Sequence, residues 1–306
     1  MKAVMDRIKQ GEILVCDGAM GSLLMDRAKD HFLGTCPEYL NLSHPEIIEE
    51  ISGLYIHAGA DIIETNTFGG SPLKLASYSL DDKTEEINRA AILAAKKASN
   101  DSTYICGSIG PSGKLLKPFG DTEPNEIYES FYRQIKVIVD SGADMIVIET
   151  MSDLNEAFLA VEATRNVSSS IPLIVSITYE FTPRGFYTIM GISIEIASKR
   201  LENKGVDLIG SNCGNGIENL VLIAKEYKKH TRLPLMIQAN AGIPELRAGV
   251  PVYPETPEFM AEKCKDLIAC GVSIIGGCCG TTPEHISAIR NVVDVKNNIE
   301  SHPKSV

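Results

Sequence analysis

Short apolar runs recur along this chain, and between them lie longer stretches whose apolar positions repeat at helical spacing. Runs bounded by glycine, proline or polar clusters predict buried strands, and the periodic stretches predict amphipathic helices. Strands are expected at Ile13–Cys16, Asp61–Thr65, Tyr104–Ser108, Met145–Glu149, Leu173–Thr178, Leu208–Asn212, Leu235–Ala239 and Ser273–Gly276. Helices are expected near Pro45–Ala58, Thr84–Ser99, Asn125–Ser141, Asn155–Arg165, Ser193–Asn203, Glu218–His230, Pro257–Ala269 and Pro283–Val293. Eight strands alternating with helices, with no linker or low-complexity break, predict an α/β fold closed into a single (β/α)8 TIM barrel; a doubly wound open sheet is the alternative. The expected organisation is one domain over residues 1–306, with 294–306 a tail.

One junction repeats. Ala58-Gly-Ala-Asp-Ile-Ile-Glu-Thr has a near copy in Ser141-Gly-Ala-Asp-Met-Ile-Val-Ile-Glu-Thr, with weaker echoes at Lys204-Gly-Val-Asp and Cys270-Gly-Val-Ser. Each reads as a helix C-terminus with glycine, a tight turn and a buried strand, which suits a barrel of similar units.

Composition narrows the function classes. A formal net charge of −11 lacks the basic footprint of a nucleic-acid surface. No apolar stretch is long enough for a membrane span, and the charged N-terminus does not read as a signal peptide, so a cytoplasmic location is expected. Eight cysteines there are expected to stay reduced. Cys16, Cys36, Cys106, Cys264 and Cys270 are expected to fill space.

The other three carry chemistry. Cys213 lies in Gly210-Ser-Asn-Cys-Gly, and Cys278 and Cys279 are adjacent in Gly276-Gly-Cys-Cys-Gly-Thr-Thr-Pro, each group closing a predicted strand. Neighbouring cysteines do not pair readily, because consecutive α-carbons are about 3.8 Å apart and a disulfide needs about 4.4–6.8 Å. If the fold brings Cys213 alongside, three thiolates surround one Zn(II) and leave a fourth tetrahedral position for substrate, the pattern of a catalytic zinc. Inert buried cysteines are the alternative.

Barrel enzymes collect reactive groups at the carboxyl ends of their strands. Here those ends carry Asp17-Gly-Ala-Met-Gly, Glu64-Thr-Asn-Thr, Ser108-Ile-Gly-Pro, Glu149-Thr, Asn212-Cys213, Asn240-Ala-Gly and Cys278-Cys279. Glu149 ends an apolar run, where an unpaired carboxylate is costly. It calls for a cationic ligand group such as an ammonium, or a salt bridge to a lysine or arginine. Backbone N–H groups of Asp17–Gly21 form either an anion cradle or merely a glycine-rich turn. Ser108-Ile-Gly-Pro-Ser-Gly-Lys-Leu is no phosphate loop, since it lacks the first glycine and the hydroxyl after the lysine. His285 reads as a first-turn helix residue.

Asp17-Gly-Ala-Met-Gly, Thr65-Asn-Thr-Phe-Gly, Gly107-Ser-Ile-Gly-Pro-Ser-Gly, Ile148-Glu-Thr, Ser211-Asn-Cys-Gly and Gly276-Gly-Cys-Cys-Gly-Thr-Thr-Pro-Glu-His resemble, in order, the signature segments of the homocysteine S-methyltransferase family. Thr67-Phe-Gly-Gly-Ser-Pro-Leu-Lys-Leu is most similar to its cobalamin-dependent members. The resemblance implies Cys213, Cys278 and Cys279 as zinc ligands, with Asn240 the exchangeable ligand when substrate is absent. It implies that Asp17, Gly18, Ala19 and Glu149 hold the amino-acid end of homocysteine, with Thr65, Asn66 and Ser108 lining that pocket. The zinc-bound thiolate then takes a methyl group to give methionine. The donor expected is methylcobalamin on a corrinoid partner or further domain; S-methylmethionine or betaine are the small-molecule alternatives, and a noncatalytic zinc docking module is the other class.

Overall fold

Eight strands pair side by side and in parallel: β1 (Leu14–Val15), β2 (Ile62–Glu64), β3 (Tyr104–Ile109), β4 (Met145–Met151), β5 (Leu173–Ile177), β8 (Leu208–Gly216), β9 (Leu235–Asn240) and β12 (Ile274–Gly277). The computed structural model describes residues 2–28, 36–247 and 250–301. Consecutive barrel strands are neighbours, β12 pairs with β1, and the ring closes between β1 and β2 through the bridge of Cys16 to Ile62 and the bond from the Asp17 N–H to the Ile62 carbonyl. The fold is therefore the expected (β/α)8 barrel and not an open sheet.

Two hairpins were not expected. β6 (Glu180–Thr182) with β7 (Gly185–Tyr187) follows β5, and β10 (Glu245–Arg247) with β11 (Val250–Val252) follows β9. The last helix, Pro283–Ser301, runs past Val293, so residues 294–301 continue it where a tail was expected. Asn297 fixes this extension by exchanging hydrogen bonds with the backbone of Ile13, at 3.1 and 3.0 Å. Residues 302–306 lie outside the described residues.

Side chains alternate across each strand. One set, including Leu14, Cys16, Ile62, Cys106, Met145, Val147, Ile174, Leu208, Met236 and Ile274, packs inside the barrel. The helix Val4–Lys9 closes its lower end with Val4 and Ile8. The alternate residues, among them Val15, Ile63, Ile146, Ile148, Val175 and Ile237, pack outward beneath the helices.

The repeated junction has a specific task. Its glycines, Gly59, Gly142, Gly205 and Gly271, all have positive φ, between +70° and +98°, and turn the chain out of each helix. Its aspartates then clamp the neighbouring strand: the carboxylates of Asp61, Asp144 and Asp207 accept from the N–H groups of Val15, Ile105 and Leu173 at 2.9, 2.8 and 2.9 Å. Their own N–H groups donate to the carbonyls of those same residues. Asp61 is also paired with Arg7 and Arg290.

Candidate metal and substrate site

The inward register that is apolar low in the barrel turns polar toward the strand ends. Glu64, Ser108, Glu149, Ser176, Asn212, Gln238 and Asn240 each stand an even number of residues above an apolar interior position of the same strand. The result is a cavity of about 270 Å³ at the carboxyl end. Its lining includes Gly18, Ala19, Glu38, Glu64, Thr65, Asn66, Ser108, Glu149, Cys213, Gln238, Cys278 and Cys279.

At one wall the fold unites the three predicted cysteines, whose sulfurs lie within 4.8 Å of one another, with Cys213 Sγ and Cys279 Sγ 3.8 Å apart. Three sulfurs at about 2.3 Å from a tetrahedral zinc would be about 3.8 Å apart, so the spacing fits such an ion. Cys213 reaches the trio through a left-handed backbone, φ 59°, where the β8–β9 ladder slips between Asn212 and Gly216. The thiols share protons: hydrogen bonds from Cys213 and Cys278 hold Cys279 down to about 3. The bond with Cys213, followed by that with Cys279, raises Cys278. Tyr253 adds a further bond to the Cys279 sulfur.

Asn240 is set between the backbone links of the doublet, since Cys278 donates to the carbonyl of Ala239 and Ala241 donates to that of Cys279. Its Oδ1 is buried with no hydrogen-bond partner among the described residues, the condition of an oxygen available to a cation.

Another part of the wall is acidic, with Glu64 and Glu149 in the lining and Asp17 bonded to the backbone of Glu64. Asp17 and Glu149 are buried, Glu64 is largely so, and no lysine, arginine or histidine appears among the described residues of the lining. Burial raises Asp17 to about 8 and Glu149 to about 7, and burial followed by the charges of Glu149 and Asp17 raises Glu64 well above its ordinary range. The salt bridge considered for Glu149 is absent among the described residues. Its carboxylate instead accepts from Ser108 Oγ at 2.5 Å and Asn212 Nδ2 at 2.8 Å. Asp17 accepts from the Glu64 N–H at 2.9 Å, and Glu64 from Gln238 Nε2 at 2.9 Å.

The predicted cradle is a helix start. Met20–Arg27 begins at the cavity with Ala19 extended before it and no side-chain cap, leaving first-turn N–H groups for an anion. The N–H of Ala19 itself is committed to Thr281 Oγ1 at 3.1 Å. Gly18 admits no side chain, because a Cβ there would lie 2.7 Å from Thr281 Oγ1 and 2.9 Å from the Tyr55 ring. Thr65 and Asn66 do line the cavity, but the Asn66 amide donates to Pro37 and Asn41, and the Thr65 hydroxyl bonds that of Thr67.

Of the five cysteines expected to fill space, Cys36, Cys106 and Cys264 are buried and Cys270 is half-buried. Cys16 is also buried, and it lies 3.4 Å from an Asp17 oxygen. His285 is in the first turn of its helix, where Nδ1 accepts from the Thr282 N–H. Sequence reasoning assigned no role to Glu38, Glu64, Asn212, Gln238 or Tyr253; the inward period-two register was the available signal for Glu64, Asn212 and Gln238.

A family model described as homocysteine S-methyltransferase matches residues 14–293. The chain belongs to the homocysteine S-methyltransferase family. Family relatives include methionine synthases of Mycobacterium leprae, 35% identical over 92% of this chain, and of Mycobacterium tuberculosis, 34% identical over 95%. The chain spans about a quarter of the length of these relatives, 24% and 26% respectively. The fold is similar to that of the homocysteine methyltransferase MmuM from Escherichia coli in its metallated form. That likeness has a TM-score of 0.77 and 22% identity and covers 95% of this chain and 98% of that one.

Proposed function

We propose that this barrel is a zinc-dependent methyltransferase that converts homocysteine to methionine. The observation that carries the reading is the pairing, across one small cavity, of a three-sulfur cluster at tetrahedral spacing with a wall of carboxylates that has no cationic partner among the described residues. An amino acid bearing a thiol matches both walls.

Cys213, Cys278 and Cys279 would hold the ion, with Asn240 Oδ1 the neighbouring oxygen donor. Zinc, when bound, supplies the positive charge that keeps a coordinated thiol ionised near neutral pH. Glu149 and Asp17 receive the substrate ammonium, and their burial makes that charge pairing strong. The first-turn N–H groups after Ala19 receive its carboxylate. Held at both ends, the substrate sulfur faces the open mouth of the barrel, where it attacks the methyl carbon as the donor's bond to that carbon breaks. Homocysteine gives up the thiol proton and gains the methyl group, so the product is methionine.

The donor we propose is a methylcorrinoid carried by a partner protein or further domain, in keeping with the resemblance to the cobalamin-dependent members; the cavity is too small to hold a corrinoid. The test is methionine formation from homocysteine with methylcobalamin, S-methylmethionine and betaine supplied separately, alongside metal analysis. Methylcobalamin is the expected donor, and turnover with only a small donor overturns that part. Cys279→Ala should lose zinc and at least about a hundredfold in activity, the scale of charge stabilisation a bound cation provides. Full activity in the metal-free variant overturns the reading.

A further inference from the structure

The two walls of the cavity are joined by one side chain. Asn212 is fully buried, and its amide nitrogen donates to Glu149 Oε2 and to Thr150 Oγ1, both at 2.8 Å, and approaches Cys278 Sγ at 3.9 Å. Its oxygen accepts from the Thr150 N–H at 3.0 Å and from Ser176 Oγ at 2.8 Å.

These bonds stand where the barrel wall is irregular. Three non-glycine residues among those described have positive φ: Ser79, Thr150 at 57° and Cys213 at 59°. The last two flank this network. A β-branched residue in that region is costly, so something must hold Thr150 there. The β4–β5 ladder slips between Ile148 and Met151, which turns the Thr150 N–H away from its strand partner, and Asn212 Oδ1 receives it. Glu149, which the regular register already turns inward, sits immediately before this irregular residue. On β8, the slip immediately after Asn212 delivers Cys213. One amide thus spans the departure beside Glu149 and the one that delivers Cys213.

We propose that Asn212 is a positioning residue that fixes the separation between the ammonium-binding carboxylate of Glu149 and the sulfur cluster at Cys278, and so selects the chain length of the amino-acid thiol. This rests on the functional reading above for what the walls bind. With Ser108 on one oxygen of Glu149 and Asn212 on the other, the carboxylate has a single orientation. Without the amide, Thr150 loses its N–H acceptor and Glu149 keeps Ser108 on one oxygen but loses its close donor on the other. A thiol with the wrong number of methylenes then fits about as well as the right one.

The experiment uses the zinc-loaded protein and calorimetric titration with three probes: homocysteine, cysteine, which is one methylene shorter, and propanethiol, which has no amino-acid end. In Asn212→Ala, zinc content and propanethiol affinity should stay near those of the parent. Homocysteine affinity should fall about tenfold to a hundredfold, the range for a lost hydrogen bond to a charged group, and the preference over cysteine should shrink. The cobalt-substituted protein supplies an independent readout, since losing the N–H contact to Cys278 shifts its sulfur-to-metal absorption band. Should Asn212→Ala fail to fold, Asn212→Leu is similarly branched and fills the site while removing both donors and the acceptor without adding a charge beside Glu149, and the same losses are expected. Unchanged homocysteine affinity and unchanged preference in a folded, zinc-loaded variant overturn the inference. A parent protein that binds zinc and propanethiol but not homocysteine overturns the functional reading instead.

Discussion

The two ends of this barrel treat their carboxylates in opposite ways. At the lower end, Asp61, Asp144 and Asp207 each secure a neighbouring strand by its N–H, and Asp61 and Asp207 also meet arginines. At the upper end, Glu64 and Glu149 line a cavity, and Asp17 is bonded to the backbone of Glu64, with hydrogen bonds but no lysine, arginine or histidine among the described residues of the lining. Acids below have their partners within the chain, whereas acids above lack a cation among the described residues, as the proposed ammonium site requires.

The largest expected effect comes from the lower end. Asp61→Ala removes the carboxylate shared by Arg7 and Arg290, which keep only Glu12 and Asp294, and leaves the Val15 N–H without its acceptor, and should cost about 3 kcal/mol in chemical denaturation. Homocysteine affinity of the folded fraction should stay the same. A selective loss of substrate affinity with stability intact would erase the division between the two ends.

The upper end should show the reverse trade. Burial raises Asp17 from 3.8 to about 8 and Glu149 from 4.5 to about 7, so over that window the folded, metal-free protein holds more protons than the unfolded chain. Its stability therefore falls as pH rises from about 4 to about 8, because unfolding releases protons there. Glu149→Gln should flatten this slope, stabilising the metal-free protein at pH 8 by about 1–2 kcal/mol, while weakening homocysteine binding about tenfold or more. Urea titrations at several pH values check the first part and calorimetry the second. A slope equal to the parent's would show that Glu149 already meets a cation.

The smallest effect sharpens the role of the repeated junction. Gly205 has φ +70° with open space where a Cβ would go, whereas a Cβ on Gly59 would lie 2.6 Å from Arg290 Cγ. Gly205→Ala should cost only the backbone strain, about 1 kcal/mol, and Gly59→Ala distinctly more, because it pushes Arg290 off Asp61. Equal losses in thermal melts would mean that the Arg290 pairing contributes little.

Much of the fold was legible because each strand is an apolar run and each helix keeps its period, even in the near copies around Asp61 and Asp144. The hairpins β6–β7 and β10–β11 were not, since strands of three residues are too short to carry a period. Cys213, Cys278 and Cys279 were legible through an adjacent pair that is difficult to explain as packing. Asn212 and Gln238 were not, because a polar residue at a strand end looks like the first residue of a turn. Their meaning depends on which way the strand faces, a property fixed by all eight strands together. The extension of the last helix was also hidden, as it depends on Asn297 meeting Ile13, 284 positions away.

Asp17 follows the first strand and the cysteine doublet follows the last, and those two strands are hydrogen-bonded neighbours. A chain interrupted shortly before residue 278 would hold Asp17, Glu64 and Glu149 yet lack the cysteine doublet, so the sulfur cluster exists only once the last strand has docked beside the first.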